Sequence, residues 1–415
     1  MKNFIAILLV VLIAFGGFMT WNHLRAETPA DVAVPAEGEP AAAETPAEPS
    51  AEADAPAAPA APAEPVVVRH ADYDAIRALH GEDETVLTVA GETADWGTFF
   101  DLLRSTGVDI EEYFEQMGTY YGVAADWEGS VGDGSGQTFA QYAVSEAREY
   151  LESILTVRAF ARENGVELDA EELKSLEPEE MAKAFIAEGE TVEDFYKRLE
   201  DEAHMSFDTY RAMREASLLY GKTVETLFGA GGEKLSEEEA VKYLEEQGFL
   251  AAGHILLMTI DPNTGDKLEE AAVAEKKLKA EGIAEELRAI DDPEQREKRF
   301  LELKAELCED GGKIAYPNGY TYTPGTMVTE FEAAVNALEP YEVSDPVESA
   351  YGYHVIMRLP LRADSLLYSA QGTPVTARQE TAVAGMNEKL TSFVEANPVT
   401  YADGVEDFDL VKYLK

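Results

Sequence analysis

A single cysteine, Cys308, occurs in 415 residues, so no disulfide can close within the chain, and no CxxC or Cys/His spacing offers a structural metal site. The folded part must stand on its core. Positive charge is also scarce. Against 81 Asp+Glu there are 33 Lys+Arg, a net charge of -48, which repels nucleic acid and anionic lipid over long range and argues against a DNA or RNA partner. Such charge suits solubility or basic partners and identifies no ligand by itself. A long apolar run occurs once, from Phe4 to Met19 behind Met1-Lys2. Extended to Trp21 it has 18 residues, about 27 Å of helix, just enough to cross a bilayer. Residues 1–25 therefore fit a cleaved secretory signal or a retained membrane anchor. The anchor is favoured, because Leu24-Arg25-Ala26 puts a bulky residue where signal peptidase requires a small one. No cysteine follows the run, which excludes a lipoprotein anchor.

From 26 to 65 the chain is almost entirely Ala, Pro and Glu, with nothing to bury and prolines against any helix, so it is expected to be a disordered, extended linker. About 350 residues remain, enough for two domains. Residues 84–248 carry helical periodicity after a short apolar stretch, Val86 to Val89, with a turn at Gly91 and a helix beginning near Asp95. The clearest helix sets Ala147, Tyr150, Leu151, Ile154 and Val157 on one face and should stop at Asn164-Gly165. Further helices are expected around 169–187, 191–203, 206–228 and 236–247, the last opened by the capping-box pair Ser236 and Glu239.

At Gly253 the texture changes. GHILLMTI is a β-like apolar run, followed by a turn at DPNTGD and a charged helix from Lys267. Next come a helix after Pro293, a Gly/Pro/Tyr-rich loop, a short helix from Val328 to Leu338 and a strand, GYHVIMRL. Residues 376–396 form one more amphipathic helix, which could return to pack on the first helical domain. Asp261, Asn263 and Gly265 begin like a calcium loop, but the twelfth position is Ala272 where a bidentate glutamate is needed, so this is read as a turn.

Residues 253–360 resemble the parvulin family of peptidyl-prolyl isomerases through several motifs in the family's order: GHILLM, Phe300 with LCED, GTMVTEFEAAVNAL, EVSDPVESAYGYH and VIMRL. More widely, VLTVAGETADWGTFF, RAFARENGVELDAEEL and KLSEEEAVKYLEEQGF are similar to helices of PrsA-type and SurA-type secretion foldases. The resemblance implies an α+β protein in which a helical chaperone-like domain (84–248), completed by a C-terminal helix and tail (374–415), receives an inserted parvulin domain (250–362). Two departures stand out. The lipidated cysteine usual in PrsA-type proteins is absent, and a longer PNGYTY stretch replaces the family's GGxLG loop.

A lone histidine in a short apolar strand is ordinarily a hydrogen-bonded core residue. The resemblance instead pairs His254 with His354 beneath the active site, as network members and not as general bases. Asp310, otherwise a helix-end aspartate, matches the position facing the isomerising bond. Cys308 does not, and is read as a packed or partly exposed thiol. Met327 and Phe331, four apart on one helical face, would be plain core without the motif. With it they are implied to form the proline pocket together with Tyr322, while Ser349 is implied to hydrogen-bond within the histidine network. The implied activity is peptidyl-prolyl isomerisation coupled to chaperone action, needing no metal or other cofactor. The implied partners are unfolded or partly folded secreted polypeptides with X-Pro bonds, outside the cytoplasm, with the membrane reached through the N-terminal anchor. A holdase with a weak or inactive parvulin domain is the alternative; a non-enzymatic surface protein would have no reason to keep the constellation.

Overall fold

The computed structural model describes residues 68–415 except 122–124, 133, 184, 187–189 and 369–373; the expected anchor (1–25) and linker (26–65) lie outside the described residues. Among the described residues the chain divides into two units, 68–226 with Gly385–Lys415, and Leu227–Ala384. Each described helix is too short or too polar to cross a membrane.

The first unit is mainly helical: α1 (Tyr73–Arg77), β1 (Thr85–Val89), β2 (Glu92–Asp95), α2 (Trp96–Gln116), α3 (Phe139–Glu163), α4 (Ala170–Ser175), α5 (Pro178–Lys183), α6 (Val192–Glu202) and α7 (Phe207–Phe228). Local chemistry sets the ends. Asp95 caps α2 by accepting from the Thr98 N–H, and Thr138 with Gln141 forms a capping box on α3. Asn164 closes α3, and Gly165 follows at φ 66°, a left-handed turn that glycine adopts at no steric cost. Buried Ala147, Leu151, Ile154 and Val157 form the core stripe of α3. The expected helix at 169–187 is two shorter ones, because Leu176 caps α4 and Pro178 opens α5.

This unit also has a sheet that helical periodicity does not reveal. β1 lies between β2 and a two-residue strand, Thr400–Tyr401, with Leu87 opposite Tyr401. The C-terminal tail is therefore part of this unit. Phe393 packs edge-on to Phe160 at 5.4 Å, Phe408 stacks on Tyr413, and the Lys415 N–H donates to the His70 carbonyl at 2.8 Å.

The second unit holds α8 (Glu237–Glu246), β3 (Leu250–Met258), α9 (Glu270–Arg288), α10 (Pro293–Leu307), β4 (Tyr320–Tyr322), α11 (Thr329–Asn336), β5 (Val347–Glu348), β6 (Gly352–Leu359) and the start of α12 (Ala377–Ala396). It extends beyond 250–362 because Leu244 of α8 packs with Leu367 and Ala377. The strands form an antiparallel sheet in the order β4-β3-β6-β5, its centre running from Ala251 opposite Leu359 to Met258 opposite Gly352. One apolar cluster joins α9 and α10 to Ile255, Leu257, Val355 and Met357. Gly253 is required there, since a Cβ would stand 2.6 Å from the Phe300 ring. A second cluster joins Ala252, Tyr320, Tyr322 and Ile356 to Phe331 and Val335 of α11. The two together bury both faces of β3 and β6.

Candidate active site

The site grows from the two central strands. His254 on β3 and His354 on β6 are both buried, and their Nδ1 atoms lie 2.9 Å apart. Strand pairing places them: His354 stands opposite Leu256, one same-face step from His254. Asp310 comes from the end of α10. The Leu256 N–H donates to Cys308 Sγ (3.3 Å) and the Glu309 N–H to the Leu256 carbonyl (2.9 Å), so the segment after α10 runs along β3. That docking sets the Asp310 carboxylate on His254, Oδ2 to Nε2 2.7 Å. Cys308 is buried, and burial pushes its thiol up from the ordinary range, so it is a packed core thiol.

Three donors converge on Asp310: His254 Nε2 and the Tyr320 hydroxyl (2.6 Å) at Oδ2, and the Gly312 N–H (2.9 Å) at Oδ1. Burial alone would raise this carboxyl, but these bonds and the nearby His254 outweigh it and hold the group well below the ordinary carboxylate range. An ionised carboxylate only accepts, so His254 Nε2 carries a proton. For His354, burial and then the neighbouring His254 press the pKa down to about 3, leaving the ring neutral. Ser349 Oγ and His354 Nε2 share a hydrogen bond (2.7 Å), the two Nδ1 atoms share the next, and His254 Nε2 donates to Asp310. The Tyr351 N–H donates to Ser349 Oγ at 3.1 Å, which fixes the hydroxyl at its end of the chain.

Beside this polar row lies an aromatic wall. Phe331 meets His254 edge-on at 5.5 Å and lies tilted against Tyr322 at 6.0 Å, with Met327 partly buried in the same cluster. The Met327 N–H and Gly325 N–H both donate to the Glu332 carboxylate, tying the start of α11 to the loop before it. Asp310 keeps 12% of its side chain exposed, so the row opens to solvent at the carboxylate.

His254, Asp310, His354 and Ser349 thus form one hydrogen-bonded row, and Met327 and Phe331 border it. Tyr322 lies behind Phe331 at 1% exposure; its hydroxyl has no partner among the described residues, so its ring backs the wall. Tyr320 was not among the residues expected from the sequence. It sits in the stretch that departs from the family's loop, and its partner, Asp310, is ten residues away across a turn, beyond any local pattern. Asp261, Asn263 and Gly265 form a tight turn, the Gly265 N–H donating to the Asp261 carbonyl.

Comparison with known proteins places this row within a familiar segment. Residues 254–359 match the model of the rotamase family, the PPIC-type PPIase domain. Over 189 residues the chain is 29% identical to foldase protein PrsA of Oceanobacillus iheyensis, covering 45% of this chain and 61% of the relative. It is 38% identical over 69 residues to chaperone SurA of Bordetella avium, covering 15% and 13%. The chain therefore spans less than two thirds of the length of these curated relatives. Among solved structures, PrsA from Bacillus subtilis aligns at 17% identity over 63% of this chain and 90% of that one, with a TM-score of 0.24.

Proposed function

We propose that this chain, which carries a parvulin-type peptidyl-prolyl isomerase domain over residues 254–359 and resembles PrsA and SurA foldases, isomerises X-Pro bonds and chaperones unfolded polypeptides outside the cytoplasm. The observation that carries this reading is the ionised Asp310, held on a buried histidine pair beside Phe331 and Met327, inside the matched segment. Isomerisation breaks no covalent bond. It rotates an imide whose uncatalysed barrier is about 18–20 kcal/mol, and a 10⁵-fold acceleration would need about 7 kcal/mol of preferential binding to the twisted form.

The residues divide that task. Met327 and Phe331 hold the proline ring, backed by Tyr322, so the bond turns about a fixed ring. In the planar imide the nitrogen lone pair spreads onto the carbonyl oxygen; twisting withdraws it. A fixed negative charge facing that oxygen therefore penalises the planar form more than the twisted one, and this is the role assigned to Asp310. His254, His354 and Ser349 hold the carboxylate in place and ionised. Neither histidine acts as a base, because no proton is transferred.

The remainder of the chain carries the second activity. Apolar side chains exposed on the helical unit, Leu79, Tyr113 and Leu173, offer contacts to unfolded segments. The apolar run Phe4 to Met19 anchors the protein in the membrane, and the Ala/Pro/Glu linker holds the folded units outside it. Measuring cis-to-trans isomerisation of X-Pro tetrapeptides with the full chain tests the enzymatic part: acceleration proportional to protein concentration supports it, and a rate equal to buffer refutes it.

A further inference from the structure

Lys304 is 1% exposed, a lysine on α10 in the floor of the isomerase unit. Burying an ammonium is costly unless its donors are satisfied, and a Leu or Met would fill the same space without that penalty. No carboxylate pairs with it among the described residues. Its Nζ donates instead to two backbone carbonyls, Tyr316 (2.5 Å) and Pro317 (3.2 Å), and lies 5.7 Å from the centroid of the Tyr320 ring. The two carbonyls lie on the loop leading into β4, and Tyr320 is the first residue of that strand. That loop turns sharply at Gly319, where φ is 102° and a Cβ would strike the Ala252 carbonyl at 2.8 Å.

The other end of Tyr320 reaches the active site. Its hydroxyl donates to Asp310 Oδ2 at 2.6 Å, and its ring is further held edge-on by His254 at 5.7 Å and by Tyr368 at 5.6 Å. A carboxylate oxygen has two lone pairs. Oδ2 spends both, on His254 and Tyr320, whereas among the described residues Oδ1 receives only the Gly312 N–H. The oxygen left with a free lone pair is therefore Oδ1. Gly312 allows the packing, since a Cβ there would stand 2.2 Å from the Tyr320 hydroxyl.

We infer that Tyr320 and Lys304 are positioning residues for Asp310: the Tyr320 hydroxyl saturates Oδ2 and turns Oδ1 toward the substrate, and the buried ammonium of Lys304 clamps the loop that presents Tyr320. The inference rests on the isomerase reading above. Other ionisable or charged groups around Asp310 are His254 from β3, Cys308 from the end of α10, and Lys313, which is tied back to the Cys308 carbonyl. Of these only His254 also touches the Tyr320 ring, edge-on from the side of the site, whereas Lys304 holds both the ring and the loop that leads to it.

The test compares full-length wild type with Tyr320→Phe, which keeps the ring and its contact with Lys304 and deletes only the hydroxyl, and with Lys304→Met. Tyr320→Phe should lower kcat on X-Pro tetrapeptides about tenfold with KM within twofold, the loss of one charge-assisted hydrogen bond. In an Asp310→Asn background the same change should cost less than twofold, because its route of action is gone. Lys304→Met should lower kcat similarly and add less than twofold to Tyr320→Phe. A second readout is the Asp310 carboxyl carbon resonance, which should titrate at higher pH in Tyr320→Phe. Full kcat in Tyr320→Phe, or an undiminished loss in the Asp310→Asn background, overturns the inference. If Lys304→Met does not fold, Tyr320→Phe alone decides. If wild type proves inactive, the isomerase reading fails, and the carboxyl titration decides the positioning claim: a shift supports it and an unchanged titration overturns it.

Discussion

Acidification puts the buried histidine row under a defined load. His354 is 3% exposed, and burial together with the neighbouring His254 presses its pKa to about 3, whereas an unfolded imidazole titrates near 6.5. The unfolded chain therefore takes a proton that the native chain refuses. The stability from this group is complete above pH 6.5 and declines as pH falls toward 3, at about 1.4 kcal/mol per unit, or about 2 kcal/mol between pH 6.5 and 5. Asp310 acts in a different window. Its carboxyl is depressed, so its contribution is present above about pH 3.9, the unfolded value, and is lost only below it. Glu380 is raised by burial and so opposes the decline at the acidic end, equally in wild type and variant. The only thiol, Cys308, is buried in this unit, which makes its protection from a dipyridyl disulfide a local unfolding probe usable at acidic pH. Urea midpoints read this way at pH 7, 6 and 5 should fall with pH in wild type, and this dependence should be largely absent in His354→Gln. A flat wild-type profile, or an equal slope in His354→Gln, would refute the argument.

Three further outcomes are expected. Phosphoserine before proline should not speed turnover, because the loop after β3 offers Lys267 against Asp261, Asp266, Glu269 and Glu270, and a dianion there meets repulsion; matched Ser-Pro and phosphoSer-Pro peptides at low and high salt give the answer. Suppression of client aggregation should survive Asp310→Ala, since the exposed apolar side chains of the helical unit lie outside the prolyl site; light scattering of a denatured client measures it. Tyr322→Phe should raise the urea midpoint, by about 1 kcal/mol in stability, because the hydroxyl it removes is buried without a partner among the described residues; a lower midpoint would show that this hydroxyl is satisfied.

Much of the α+β architecture was legible because its signals are local. Strand GYHVIMRL appears as β6 with the expected ends, α3 stops at Asn164-Gly165, and Ser236 with Glu239 opens α8. The features that escaped depend on distant partners. Thr400–Tyr401 is a strand only because β1 lies beside it, and two residues carry no periodicity. Helix α8 looks like its helical predecessors in sequence, yet Leu244 is buried against Leu367 and Ala377. At the site, the two histidines, Asp310 and the Met327/Phe331 pair were recognisable by motif. Tyr320 and Lys304 were not, since their roles come from a loop folding back over α10, and a lysine on an amphipathic helix ordinarily faces solvent.

On the reading proposed above, the ionised carboxylate of Asp310, set on the histidine row, drives rotation of the X-Pro bond. This is tested most directly by kcat/KM of full-length Asp310→Ala against wild type, with circular dichroism confirming that both are folded. One group supplying fixed electrostatic stabilisation is worth about 10²-fold or more. Asp310→Ala should lose activity by that factor; wild-type activity in the folded variant would remove Asp310 from the mechanism.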